Sequence, residues 1–374
     1  MKPTIKSVRT RSELRRFASF PNKLYKGSKF FVPVMVSMEM ATFNPKTNHA
    51  HEFCDSALWL ALDARGNMVG RIAAIINRAY NEAKGMKQGR IGWLDFIDDP
   101  DVSAALLETA ENWCRERGMT QICGPMGFLE FDAAGIIVEG YDETPTAYGK
   151  YNYPYYAGHM LSNGYVKDTD WVEYQVLIGD TLPDNIAKAA GIISGRYGLQ
   201  RIKLHKKKDL VPYFDQIFAL LNKAYKDLHG FSELSEGQIE DLKSQFLPNL
   251  NMDLISIIAD KDGKIVAFGI TLPSLSKAMQ KARGHMLPFG WAYLLHALRH
   301  NDTLDCLLIA VDDDYRSKGV TAVIFNDLFV SAKEFGIKYI ETTRELEDNF
   351  NVQNLWKNFE RRLHKRARCF IKDL

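Results

Sequence analysis

The sequence predicts an α/β protein of mixed sheets, built as a tandem duplication of one unit. Three recurrences carry that expectation. A hairpin pattern occurs twice, LWLALDARGNMVGRIAA over 58–74 and ISIIADKDGKIVAFGIT over 255–271. Each is an apolar run, an Asp- and Gly-bearing turn and a second apolar run, the signal of an antiparallel hairpin. Asp63 matches Asp260, Gly66 matches Gly263 and Val69 matches Val266, all at an offset of 197. A second unit follows each hairpin: IGWLDFIDD and VSAALLETAENWCRER before Gly118, against LDCLLIAVDD and VTAVIFNDLFVSAKEF before Gly336. Both read as strand, acidic turn, amphipathic helix and glycine stop. An Asn-led short helix and a final strand then close each copy, over 152–177 and 349–372.

The other elements follow in order. Each copy opens with helical material, at 11–26, where Pro21 interrupts, and at 211–225, where Asp209 stands as the cap. Ser235 with Gln238 three residues on forms a capping box for the next helix. Val320, Val323, Ile324, Leu328 and Ala332 share one helical face. Gly118 and Gly336 suit left-handed C-terminal caps. Glycines 179, 191, 195 and 198 with Pro183 mark the boundary, so the domains expected are 1–180 and 196–374. Residues 276–303, with Pro288, Gly290 and WAYLLHALRH, stand outside the repeat.

Composition bounds the function. The 374 residues are 46% hydrophobic and 25% charged, which is globular and excludes a disordered or rod-like chain. Lys plus Arg is 48 and Asp plus Glu is 46, so the surface as a whole is no nucleic-acid magnet. No apolar run has the length of a bilayer span and no secretory leader is evident, so a cytoplasmic protein without a membrane partner is expected. The five cysteines are scattered and nowhere C-x-x-C, which reads as reduced thiols and no metal site.

Chemistry concentrates in LIAVDDDYRSKGVTAVIF, 308–325. A strand ends, a loop with Arg316, Lys318 and Gly319 follows, and a helix starts near Val320. Free N–H groups at a helix start, beside a glycine that admits close approach, make a phosphate-binding device. The spacing is that of neither a Walker loop nor a dinucleotide fingerprint.

Here the sequence resembles the GNAT superfamily of acyl-CoA-dependent N-acyltransferases, whose [RQ]-x-x-G-x-[GA] loop cradles the CoA pyrophosphate. Arg316, Ser317, Lys318, Gly319, Val320 and Thr321 fit through Arg316 and Gly319, with Thr321 where Gly or Ala is usual, and Tyr315 suits the family. Asn349, Val352, Leu355 and Trp356 match the family's later Asn-led helix. The resemblance covers 200–374 clearly and 1–178 in decayed form. It implies acetyl-CoA or another acyl-CoA as cofactor, a small-molecule or peptide amine as acceptor, and an oxyanion contact from the splayed strand at Ala310 and Val311. It places Trp356 where many members carry an acid tyrosine. An indole N–H donates but is a very poor acid.

Other residues carry paired readings. Glu341 is a candidate general base or a partner of Arg344. Cys306 is a small buried residue or an acyl-transfer nucleophile. Asp312, Asp313 and Asp314 cap or are solvated, with metal ligation as the alternative. His49 and His51 belong to a polar loop or share a metal. Tyr151, Tyr153, Tyr155 and Tyr156 wall a substrate pocket or pack the halves together. The basic tail, Lys357 to Lys372, protects an edge strand or attracts CoA or RNA. Asp98, Asp99, Pro100 and Asp101 replace the phosphate loop in the first copy, which is therefore expected not to bind CoA. The alternatives to the acyltransferase are a Fem-type aminoacyl-tRNA-dependent transferase and a non-catalytic CoA binder. Nothing in the sequence sets the oligomeric state.

Overall fold

Both hairpin turns close by the same hydrogen bonds at the same offset. Asp63 N–H donates to Asn67 O and Gly66 N–H to Asp63 O, as Asp260 N–H does to Lys264 O and Gly263 N–H to Asp260 O. Each aspartate carboxylate also accepts two turn amides, Arg65 and Asn67 or Asp262 and Lys264. Gly66 and Gly263 sit at φ +77° and +80°, a conformation a side chain would strain.

The computed structural model describes residues 2–374. The first copy contributes strands β1 (Thr4–Ser7), β2 (Cys54–Leu62), β3 (Met68–Asn77), β4 (Gln88–Phe96), β5 (Gln121–Gly124), β6 (Ile136–Glu139) and β7 (Val166–Leu177). The second contributes β8 (Gln200–Arg201), β9 (Ile255–Ala259), β10 (Ile265–Pro273), β11 (Thr303–Val311), β12 (Tyr339–Thr342), β13 (Glu345–Leu346) and β14 (Arg361–Asp373). They form one sheet in the order β1-β2-β3-β4-β5-β14-β7-β12-β11-β10-β9-β8, with β6 beside β14 and β13 beside β7. β4 pairs parallel with β5 and β11 parallel with β12, whereas the hairpins and the central strands are antiparallel.

The closing strands are exchanged. β14, the end of the chain, pairs with β5 of the first copy, and β7 pairs with β12 of the second. The basic tail is therefore no edge strand; it runs through the middle of the sheet. Lys365 is buried there and meets Glu173 across the β14–β7 ladder, 2.9 Å away. Arg368 grips Asp170 with two nitrogens, at 2.7 and 2.9 Å.

Local features differ where tertiary contacts intervene. The first helix, Arg11–Leu24, runs through Pro21. Proline removes the bond to the carbonyl four residues back, and Phe17 O accepts from the buried Arg71 guanidinium instead, at 2.9 Å. The boundary segment is helical over Asp184–Tyr197, capped by Gly198, and packs on helix Thr321–Phe335. The Ser235–Gln238 capping box forms as the sequence implies. Asp209 accepts from the upstream amides of His205 and Lys206, ahead of helix Phe214–Tyr225. Residues 276–303 form two helices, Ser276–Ala282 and Gly290–Arg299.

Lys365 should be costly to truncate. Lys365→Ala leaves Glu173 buried without its cation, so urea unfolding should show a loss of about 3–5 kcal/mol. A loss below about 1 kcal/mol, the range of exposed pairs, would show the pair to be incidental.

Candidate active site

The pairing of β11 with β12 stops early. It runs from Thr303 opposite Tyr339 to Cys306 opposite Thr342, after which β12 ends. From Leu307 onward that edge of β11 is splayed. Tyr225, on helix Phe214–Tyr225, fills part of the gap: its hydroxyl donates to Ile309 O at 3.2 Å and accepts Ile309 N–H at 3.4 Å. Strand alternation turns the Val311 N–H to this same edge. Asp312 N–H bonds Val266 O on β10, so by the same alternation the Ala310 amide faces β10.

The splay opens into a cavity of about 870 Å³. One wall is apolar, with Leu210, Phe214, Phe218, Leu242, Phe246 and Leu250. The first copy supplies Glu130, Phe131, Tyr148, Trp171 and Glu173. Ala310, Val311, Arg316, Ser317, Thr321 and Asn349 line it as well. The Asn349 side chain accepts Val352 N–H as a helix cap, at 3.4 Å. Tyr315, Lys318, Gly319 and Val320 shape the loop from behind. Val320 is buried, and Lys318 stands over the rings of Tyr197 and Tyr315, at 4.9 and 4.5 Å. Gly319 has φ +75°, and a Cβ there would also meet Ile193 Cδ1 at 2.9 Å.

The acidic run before this loop is neutralised locally. The Asp312 carboxylate caps Asp314 N–H and lies 3.1 Å from both Lys223 and Lys264. Burial pushes its pKa up, but that amide and the two lysines outweigh burial and hold it below the usual range. Arg316 pairs with Asp313 at 2.8 Å.

The carboxylates of the region fall into two groups. Glu341 does not line the cavity. It accepts from Gln175 at 2.7 Å and lies 2.9 Å from His364 Nε2. Burial raises its pKa, yet His364, Lys365 and Gln175 bring it below the ordinary value, which leaves a poor base. Arg344 instead donates to the carbonyls of Glu130 and Asp132. Glu345 and Glu130 do line the cavity, and burial pushes each to about 7. Trp356 is buried and donates its indole N–H to Glu345 at 2.7 Å. Cys306 lines the cavity as well, but burial pushes its thiol to about 12, so it stays protonated.

No protein-family model matches the chain. It is 28% identical to Protein YghO of Escherichia coli (strain K12) over 385 residues, covering 99% of this chain and 95% of that one. It is 28% identical to the bacterial ceramide synthase of Caulobacter vibrioides over 297 residues, covering 78% of this chain and 75% of that one. Among solved structures, a tandem GNAT protein from the clavulanic acid biosynthesis pathway aligns with 99% of this chain and 98% of its own, with a TM-score of 0.57 and 11% identity. The fold is a tandem GNAT fold.

The two GNAT copies differ at the splay. Ile97 N–H bonds Val69 O, as Asp312 N–H bonds Val266 O, again at the offset of 197 on the hairpin side. Phe96 therefore stands where Val311 stands. Its N–H is taken by the Tyr156 hydroxyl at 3.0 Å, and its carbonyl accepts from Tyr155 at 2.5 Å. Tyr151 and Tyr153 pack beside them around Tyr25. The tyrosines expected to wall a substrate pocket thus lie in the first copy's core, where aromatic packing plugs its splay; Tyr148, three residues before Tyr151, lines the cavity instead. Asp99 caps the following helix directly, and Asp98 meets His159 at 2.9 Å. His49 pairs with Asp241 at 2.8 Å, while His51 meets Thr42 O.

Sequence reasoning missed Tyr225, Glu130 and Glu345. The first is one apolar-face residue among several. The second sits in irregular chain without a period. The third lies four residues beyond Glu341, and only the fold tells which of the two faces the cavity.

Proposed function

We propose that the chain is an acyl-CoA-dependent N-acyltransferase whose acyl donor binds in the second copy and whose acceptor is an amine on an apolar chain. The observation that carries this is the Val311 amide edge opening into the cavity beside the Arg316–Thr321 loop. The amides of Ala322 and Val323 are taken by Gly319 O and Val320 O, so a pyrophosphate would rest on the positive end of helix Thr321–Phe335 and on Arg316, with Gly319 admitting the approach. Acyl-CoA supplies an activated thioester. Val311 N–H is placed to hold the charge that develops on its carbonyl oxygen. Glu345, or Glu130 across the cavity, takes the proton from the attacking nitrogen.

The acceptor class rests on the Leu- and Phe-lined wall and on the relative named a bacterial ceramide synthase. A tRNA-dependent reading loses its main support, because the tail cations Lys365 and Arg368 are occupied by Glu173 and Asp170.

Calorimetry with acetyl-CoA tests the donor site. One site per chain is expected, and Gly319→Asp, which strains the backbone and places a charge at the phosphate, should weaken it about 100-fold or more. Two equivalent sites, or unchanged affinity in the folded variant, would overturn the assignment. The base is tested by pH. A group raised to about 7 is protonated below it and ionised above it, so turnover should rise with pH through about 7. Glu345→Gln should remove that limb and slow turnover by about 100-fold or more.

A further inference from the structure

Three ligand-type side chains converge outside the cavity, from three separate elements. Asp168 lies on β7, His229 between helices Phe214–Tyr225 and Glu236–Phe246, and Cys369 on β14. One ligand atom of each lies within 4.8 Å of the others. His229 Nε2 stands 3.2 Å from Asp168 Oδ2, yet neither atom has a hydrogen-bond partner of good geometry, and both are shut off from solvent. Cys369 is fully buried and packs in one cluster with Cys123 and Met126. Zinc bonds of about 2.0–2.3 Å in a tetrahedron hold neighbouring ligand atoms about 3.3–3.8 Å apart. The His–Asp spacing is close to that edge length. A thiolate, an imidazole and a carboxylate are also zinc's usual donors.

We propose that Asp168, His229 and Cys369 bind zinc. The three residues come from both copies and include both exchanged strands. A metal there fastens the exchange, and its binding releases the thiol proton. The ligands are scattered over the chain, so no motif announces them.

The full chain, stripped with a chelator, should take up one Co²⁺ with a thiolate-to-cobalt charge-transfer band, and zinc should displace it. Cys369→Ser and His229→Gln should each weaken zinc binding about 100-fold or more, whereas Cys54→Ser should not. Circular dichroism of the stripped variants checks that they fold. Absence of the charge-transfer band, or equal zinc affinity in Cys369→Ser and His229→Gln, would overturn the site.

A different surface carries a second inference. Residues 276–301 hold Lys277, Lys281, Arg283 and Arg299, three histidines, and no Asp or Glu. Over the same stretch Leu287 is 77% and Phe289 66% exposed, and Trp291, Tyr293 and Leu295 are exposed beside them. Lys277, Lys281, Arg283 and Tyr293 line one groove. Exposed aromatics beside cations suit the headgroup layer of an anionic bilayer. Helix Gly290–Arg299 turns Leu294 and Leu298 into the same apolar core as Leu250 and Leu308, which line the cavity. No helix among the described residues is long and apolar enough to cross a membrane.

We infer that the 276–301 insertion seats on the surface of an anionic membrane, from which an apolar amine reaches the cavity. This rests on the proposed acceptor class, but its test does not use turnover. The chain should sediment with mixed phosphatidylcholine–phosphatidylglycerol vesicles and not with pure phosphatidylcholine. Phe289→Glu and Lys281→Glu should each abolish that while acetyl-CoA affinity stays the same. No binding to the anionic vesicles would overturn the inference. So would a dimer that Phe289→Glu dissociates, since the patch would then be a contact between copies. Either result leaves the acyl-transfer reading standing.

Discussion

The exchange of β14 and β7 between the copies is the constraint on which the other features depend. It joins two half-sheets into one and brings Trp171 and Glu173, first-copy residues on β7, to the second copy's cavity. It also requires a charged strand to pass through the centre of the sheet. Lys365 is the consequence. Burial would push its ammonium down, but Glu173 and Glu341 outweigh burial and hold it above its ordinary value. Asp305, fully buried on β11 opposite Glu341, is pushed by burial to about 7, with the Lys365 charge opposing. One buried cation therefore stands among several carboxylates, of which Glu173 lines the cavity.

The duplication offers an internal comparison. Both copies end their parallel pairing after a few residues and splay, because β5 and β12 are each only four residues long. What fills the gap decides the outcome. In the first copy Tyr155 and Tyr156 bond Phe96, and their rings pack into a continuous aromatic core with Tyr25. In the second copy the gap receives one hydroxyl, that of Tyr225, at Ile309, and Val311 is left facing space. A backbone amide with a bonded hydroxyl cannot also hold a developing oxyanion without giving up that bond. The first copy thus keeps the shape of the site without an accessible donor, and its contribution is the wall it lends to the second.

Much of the fold was legible because its signals are local. The Asp and Gly of each hairpin turn, the Gly336 cap and the Ser235–Gln238 box act within a few residues, and each formed as read. The strand exchange was not legible. A closing strand has the same alternation whether it pairs within its own copy or with the other. Lys365, Arg366 and Arg368 looked like edge protection because their partners Glu173 and Asp170 lie nearly two hundred residues away. Pro21 looked like a break because the guanidinium that replaces its missing bond comes from β3. The proposed donor loop from Arg316 to Thr321 is read from a motif and a helix start. The cavity carboxylates were not, since a glutamate's facing cannot be told from a four-residue stretch of strand and turn.

Trp356 sharpens what kind of proton transfer the cavity can support. An indole does not surrender its proton in this range, so the position that a resemblance would assign to an acid holds a fixed donor instead. That donor points at Glu345 and favours its ionised form, while burial of the same carboxyl favours the neutral form. Burial prevails only partly, which leaves the group near neutrality rather than locked in either state. A carboxyl poised there can take a proton from a nitrogen nucleophile and return it, as Glu341, held ionised by its own partners, cannot. On the proposed reading the tryptophan is a positioning residue: its hydrogen bond holds the Glu345 carboxylate and opposes the effect of burial.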